Sequence, residues 1–296
     1  MMIRKFFIFG LVATGLLISA CSSDDDGPAT APIEVNILNL QSLDGSVVYK
    51  AWLRANGEDI SLGSFTDANF PKTFTTLASD VEAASEFFIS IEESSSADTP
   101  SETRIVSATF SGASNTAQVS SASSIADFSS MSGSFALRTF TGEMETGDPN
   151  GIWFTNTLNG ATTITPGLSL PTLSTGWSYE AWIVLDDNSG VSTTLPLGKF
   201  LSATESDTSD IFSAESNAAP EIPGEDFLDD TAGNLVNIDF PANLVGARVF
   251  VTLEPTSADD TSSPFFIELL SLESATANAI NTMDANNFFI TGSVER

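Results

Sequence analysis

Two glutamates close matching apolar runs: Glu92 ends Phe88-Ile89-Ser90-Ile91-Glu92, and Glu254 ends Phe250-Val251-Thr252-Leu253-Glu254. A carboxylate so placed can act as acid or base, but glycoside chemistry needs a partner carboxylate within about 5–10 Å. The alternative is structural: each accepts hydrogen bonds from the backbone of the turn that follows, a role that Pro255 fits. A second group of acids runs from Glu205 to Asp230, nine in all with no base among them. Asp207, Asp210, Glu221, Glu225, Asp226, Asp229 and Asp230 supply the oxygen ligands that calcium prefers, although no EF-hand or nonapeptide spacing is present. Calcium is therefore the one candidate cofactor, set against a solvated acidic loop. Aromatic side chains are the third resource. Trp153 and Trp177 lie near glycine-rich turns, where exposed indoles would stack on a sugar, while Tyr49, Trp52, Tyr179 and Trp182 read as core packing.

Other chemistry is excluded. The 296 residues include no histidine, which removes Ser-His-Asp and Cys-His nucleophiles, histidine-bound zinc and an imidazole pH switch. Serine is abundant, but Lys50, Lys72 and Lys199 are the only lysines beyond the N-terminal segment, and none stands in a Ser-x-x-Lys arrangement. The expectation is a protein that is not an enzyme. A net charge of −29 opposes binding to a phosphate backbone, so nucleic acid is not an expected partner.

Elements that could position these residues follow from the pattern. At 42% hydrophobic residues the chain can bury cores, and its length suggests two domains. No helical period is sustained, whereas Ile33–Ile37, Phe88–Glu92 and Phe250–Glu254 alternate as half-buried strands do. The chain also repeats itself. Tyr49-Lys50-Ala51-Trp52 matches Tyr179-Glu180-Ala181-Trp182, Leu62-Gly63-Ser64-Phe65 matches Leu197-Gly198-Lys199-Phe200, and the two runs ending in Glu92 and Glu254 match in turn. The predicted fold is all-β, with two tandem related antiparallel β-sandwich modules. The first module spans 33–110, a Ser-rich linker 111–132, and the second module 133–296. The segment Phe135–Phe140 either begins the second module or completes the first, because Asn287–Thr291 holds a similar place at the end of copy two.

Residues 1–20 read as a signal peptide, with Arg4 and Lys5 before an apolar stretch too short to span a membrane. Leu17-Ile18-Ser19-Ala20-Cys21 resembles the lipobox of bacterial lipoproteins, which implies that Cys21 is lipidated. The only thiol is then consumed, leaving neither disulfide nor cysteine chemistry. The following Ser22-Ser23-Asp24-Asp25-Asp26-Gly27 is similar to the acidic export tag of surface lipoproteins in the Bacteroidetes group, within a tether of residues 21–32. That resemblance implies an outer-membrane lipoprotein at the cell surface, a periplasm-facing one being the alternative.

In the second copy, Leu170-Pro171-Thr172-Leu173-Ser174-Thr175-Gly176-Trp177-Ser178-Tyr179-Glu180-Ala181-Trp182, then Gly198-Lys199-Phe200, Val251–Pro255 and Pro264, resemble the extracytoplasmic domain of anti-sigma-K factors. Pro223-Gly224-Glu225-Asp226-Phe227 is similar to a loop of that family. The likeness covers roughly Gly133 to Leu270 and implies an extracytoplasmic β-sandwich without a catalytic motif. The membrane helix and sigma-binding segment of that family have no counterpart in this sequence, which argues against sigma-factor sequestration. The expected role is binding or scaffolding by a membrane-tethered protein, its partner an envelope protein or a glycan. Rival readings are a carbohydrate-binding accessory lipoprotein and a regulatory sensor of another envelope protein.

Overall fold

The computed structural model describes residues 27–44, 46–141, 148–158, 163–213, 218–230, 235, 237–256, 263–286 and 289–296. Residues 1–26, which include Cys21 and the segment expected to be a signal peptide, lie outside the described residues. The chain is all-β apart from one helical turn, α1 (Ala78–Ala83), among the described residues. The first module contains β1 (Thr30–Leu38), β2 (Val48–Ala55), β3 (Glu58–Phe65), β4 (Lys72–Leu77), β5 (Ala84–Glu92), β6 (Arg104–Thr109) and β7 (Thr116–Ser120). The second follows with β8 (Gly133–Leu137), β9 (Gly151–Trp153), β10 (Trp177–Asp186), β11 (Ser192–Phe200), β12 (Gly224–Asp226), β13 (Arg248–Pro255), β14 (Glu268–Leu272) and β15 (Ile280–Ala285), and β16 (Thr291–Glu295) comes last.

These strands form two antiparallel, barrel-like sheets of eight strands each, ordered β3-β2-β5-β6-β7-β16-β1-β4 and β11-β10-β13-β14-β15-β8-β9-β12. The orders are the same order: each strand of the first sheet corresponds to the strand eight places away in the chain. The hairpins repeat in detail, because Ala51-Trp52 and Glu180–Trp182 each interrupt the register with their partner strand opposite a positive-φ glycine, Gly63 or Gly198. Residues that alternate in sequence alternate in burial along β1, where Ile33, Val35 and Ile37 face inward. Edge strands β3 and β4 approach one another through Phe65 and Phe74, whose rings are 6.2 Å apart.

Two features differ from the linear reading of modules. The Ser-rich stretch 111–132 is not merely a linker: β7 lies inside it, and Ile125, Phe128 and Met131 are buried. The final strand β16 follows the second module in sequence, yet it pairs with β1 and β7 in the first sheet. In turn β8, which follows β7, pairs with β15 and β9 in the second sheet. The two repeats have exchanged their eighth strands.

Candidate functional site

The repeated Tyr-x-x-Trp strands position a buried relay in each module. In the first, the Trp52 indole donates to Ser90 Oγ at 2.8 Å, and Ser90 donates to Glu92 Oε1 at 2.5 Å. In the second, Trp182 donates to Thr252 Oγ1 at 2.8 Å, and Thr252 donates to Glu254 Oε1 at 2.5 Å. Each carboxylate also accepts a backbone N–H from the loop beyond its strand, from Ser101 at 2.8 Å for Glu92 and from Phe265 at 2.9 Å for Glu254. Both glutamates are buried and sit in different sheets, an arrangement that braces a loop rather than forming a carboxylate pair. Tyr49 and Tyr179 are equally matched, their hydroxyls donating to the carbonyls of Gln41 and Pro171 while burial pushes both phenols well above their usual range. Ser90 and Thr252, which the motif reading passed over, were visible two residues before each glutamate.

The acidic segment divides instead of converging. Glu225 and Asp226 are consecutive on β12, so their side chains leave opposite faces. Asp226 turns toward β9: its Oδ2 accepts from the backbone of Phe140 at 2.7 Å and Thr141 at 2.5 Å and from the Thr141 hydroxyl at 2.8 Å, and its Oδ1 accepts from the Trp153 indole at 2.7 Å. Phe140 packs edge-on to Trp153 and beneath the Arg138 guanidinium, 4.0 Å away. The carboxylate is thus wrapped by protein donors.

Glu225 turns the other way, toward Asp207. Ser209 bridges them, its N–H donating to Asp207 Oδ1 at 2.9 Å and its hydroxyl to Glu225 Oε2 at 3.2 Å. Gly224 N–H donates to Asp207 Oδ2 at 2.7 Å, and Phe212 N–H donates to Glu225 Oε1 at 2.6 Å. Gly198 admits this turn, because a Cβ there would stand 2.5 Å from Asp207 Oδ1 and 2.7 Å from Ser209 N. Burial raises the Asp207 carboxyl to about 6, the accepted hydrogen bonds opposing it. Burial, with the nearby Asp207 charge adding to it, raises Glu225 to about 8. At neutral pH Glu225 therefore holds its proton. Asp210 and Asp229 are exposed, and Asp230 accepts from Leu235 N–H at 2.8 Å. The seven acids named as calcium ligands do not form one shell, and among the described residues no group of three or more acidic side chains is arranged to hold a metal ion.

The aromatic platform is overturned. Trp153 and Trp177 are each only 2% exposed, because each indole N–H is satisfied inside the protein, that of Trp153 on Asp226 and that of Trp177 on the Arg104 carbonyl at 3.1 Å. Trp177 instead marks where the modules meet. Thr103 Oγ1 donates to the Gly176 carbonyl at 3.1 Å, and a Cβ on Gly176 would lie 2.5 Å from the Glu102 carbonyl carbon. A cleft of about 600 Å³ opens beside Asp186, Asn188, Asp239 and Val245, and its one guanidinium, Arg248, is already paired with Glu268 and Glu273. Among the described residues no helix is long and apolar enough to cross a membrane. No protein-family model matches this chain, and no curated protein and no solved structure matches it.

Proposed function

We propose that this chain is a non-catalytic envelope lipoprotein, held in the outer membrane by lipid on Cys21 and displayed at the cell surface, where its modules bind or scaffold an envelope component. The observation that carries the reading is the run Leu17-Ile18-Ser19-Ala20-Cys21 with its acidic continuation, set directly before β1 begins at Thr30. The internal hydrogen bonds of Glu92, Glu254 and Asp226 support a bracing role for these carboxylates. The buried indoles leave an envelope protein as the better-supported partner than a stacked glycan.

Metabolic labelling with a clickable palmitate tests the anchor. The full chain is expected to carry label and sediment with outer membranes, and Cys21→Ala to lose both. An unlabelled, soluble full chain would overturn the proposal. Protease treatment of intact cells distinguishes the surface from the periplasmic leaflet. Crosslinking in intact cells with a C-terminal tag then separates a dominant protein partner from a bare lipoprotein, the latter directing attention to ions and polysaccharides.

A further inference from the structure

The exchange of eighth strands creates two acceptor grooves of the same kind. β16 lies between β7 and β1 in the first sheet, and β8 lies between β15 and β9 in the second. Both insertions are antiparallel, so each groove is also where a hairpin return from β7 or β15 would seat the repeat's own last strand. The seated strands share a Gly-Ser pair, Gly292-Ser293 at the second and third positions of β16 and Gly133-Ser134 at the first and second of β8. Their glycines are both closely covered, since a Cβ on Gly292 would meet the Asn36 carbonyl oxygen at 2.0 Å and a Cβ on Gly133 would meet Leu270 Cδ1 at 2.7 Å.

We propose that the first-sheet groove also takes Thr291–Glu295 from a second copy of this chain, so that the protein assembles by strand exchange between copies. The strand is held mainly by main-chain pairing on both flanks, from Glu34↔Glu295 to Leu38↔Thr291 on β1 and from Thr116↔Glu295 to Ser120↔Thr291 on β7. Its buried apolar anchor is Val294, preceded by Ile290, and the Arg296 guanidinium packs over Phe110 at 4.5 Å. Every copy offers the same backbone, glycine and valine. A groove that already receives its strand from another repeat does not distinguish which chain supplies it. Within one molecule local concentration favours the internal strand, and crowding of copies raises the competing source. The inference goes beyond the envelope reading and does not depend on lipid at Cys21.

Asn36 and Ser293 face one another in register, which gives a direct test. Two differently tagged full-length chains, each with Cys21→Ala so that no other thiol is present, carry Asn36→Cys in one and Ser293→Cys in the other and are co-expressed and oxidised. A disulfide between them requires β16 of one copy beside β1 of the other. The expected result is a mixed dimer enriched several-fold over a control pairing of Asn36→Cys with Ser189→Cys, a position in the exposed β10–β11 turn. The double variant in a single chain reports whether the two sites are close enough to bridge. An intrachain disulfide in the double variant with no enrichment of the mixed dimer overturns the proposal, and so does failure of the double variant to bridge.

Discussion

Trp52 and Trp182 occupy the same place in the two repeats: each stacks at 13° and 6.4 Å on a phenylalanine, Phe88 or Phe250, and each donates at 2.8 Å to a hydroxyl that leads on to a glutamate. The chemistry of the hydroxyl is interchangeable, Ser90 in one module and Thr252 in the other. Thr252→Val is therefore expected to leave an indole N–H and a carboxylate short of a partner in the core, lowering stability by about 1–3 kcal/mol. Thr252→Ser should restore most of it. Urea denaturation of the three proteins measures the difference.

The Asp207–Glu225 pair makes a pH prediction. Both carboxyls are raised on folding, Asp207 from 3.8 to about 6 and Glu225 from 4.5 to about 8. The folded chain thus binds more protons than the unfolded chain across that window, and the pair's contribution to stability falls as pH rises through it. Glu225→Gln keeps the shape and removes the titration. It is expected to be more stable than the parent by several kcal/mol at about pH 9, with the advantage shrinking toward about pH 5. Thermal midpoints of both proteins across this range check the sign.

Asp226 accepts four hydrogen bonds from Phe140, Thr141 and Trp153. An amide in its place turns one acceptor oxygen into a donor that faces other donors. Asp226→Asn is expected to cost about 1–3 kcal/mol and to alter the environment of Trp153. Denaturation followed by tryptophan fluorescence reads both.

Strand exchange predicts that the modules unfold together. Placing a side chain at Gly292 forces it against the main chain at Asn36, a strain of about 2–4 kcal/mol. Gly292→Val should lower the melting temperature of both modules, although it lies in the first sheet alone. Reporter variants that retain only Trp52 or only Trp182 are expected to give coincident transitions. Separate transitions would show that the sheets are uncoupled.

Much of the fold was legible because it is local. Alternation along Ile33–Ile37 and the paired Tyr-x-x-Trp blocks lie in short windows, and strands with these patterns formed where the residues placed them. The relay partners were legible in principle, since Ser90 and Thr252 stand at matching positions. What was not legible depends on partners distant in sequence. Thr116–Ser120 is a short polar strand whose composition resembles its serine-rich surroundings, and only pairing with β16 defines it. Trp153 looked exposed beside its glycine, and its indole is inside because Asp226 arrives from β12 to meet it. The acids between Glu205 and Asp230 looked like one group because they are close along the chain. The alternation of β12 sends Glu225 and Asp226 to different partners.

The antiparallel pairing of β1 with β16 also sets how the molecule resists a pull. A pull on the chain before β1 reaches that strand at its Thr30 end, whereas the chain from the second module enters β16 at Thr291, opposite Leu38 at the far end of β1. β7 leaves for the second module at Ser120, beside that same Thr291. Tension between the segment before β1 and the second module therefore runs along the strands, perpendicular to the hydrogen bonds joining β1 to β16. The ladder is loaded in shear, all its rungs sharing the force at once, and peeling rung by rung would require traction on the Leu38 end instead.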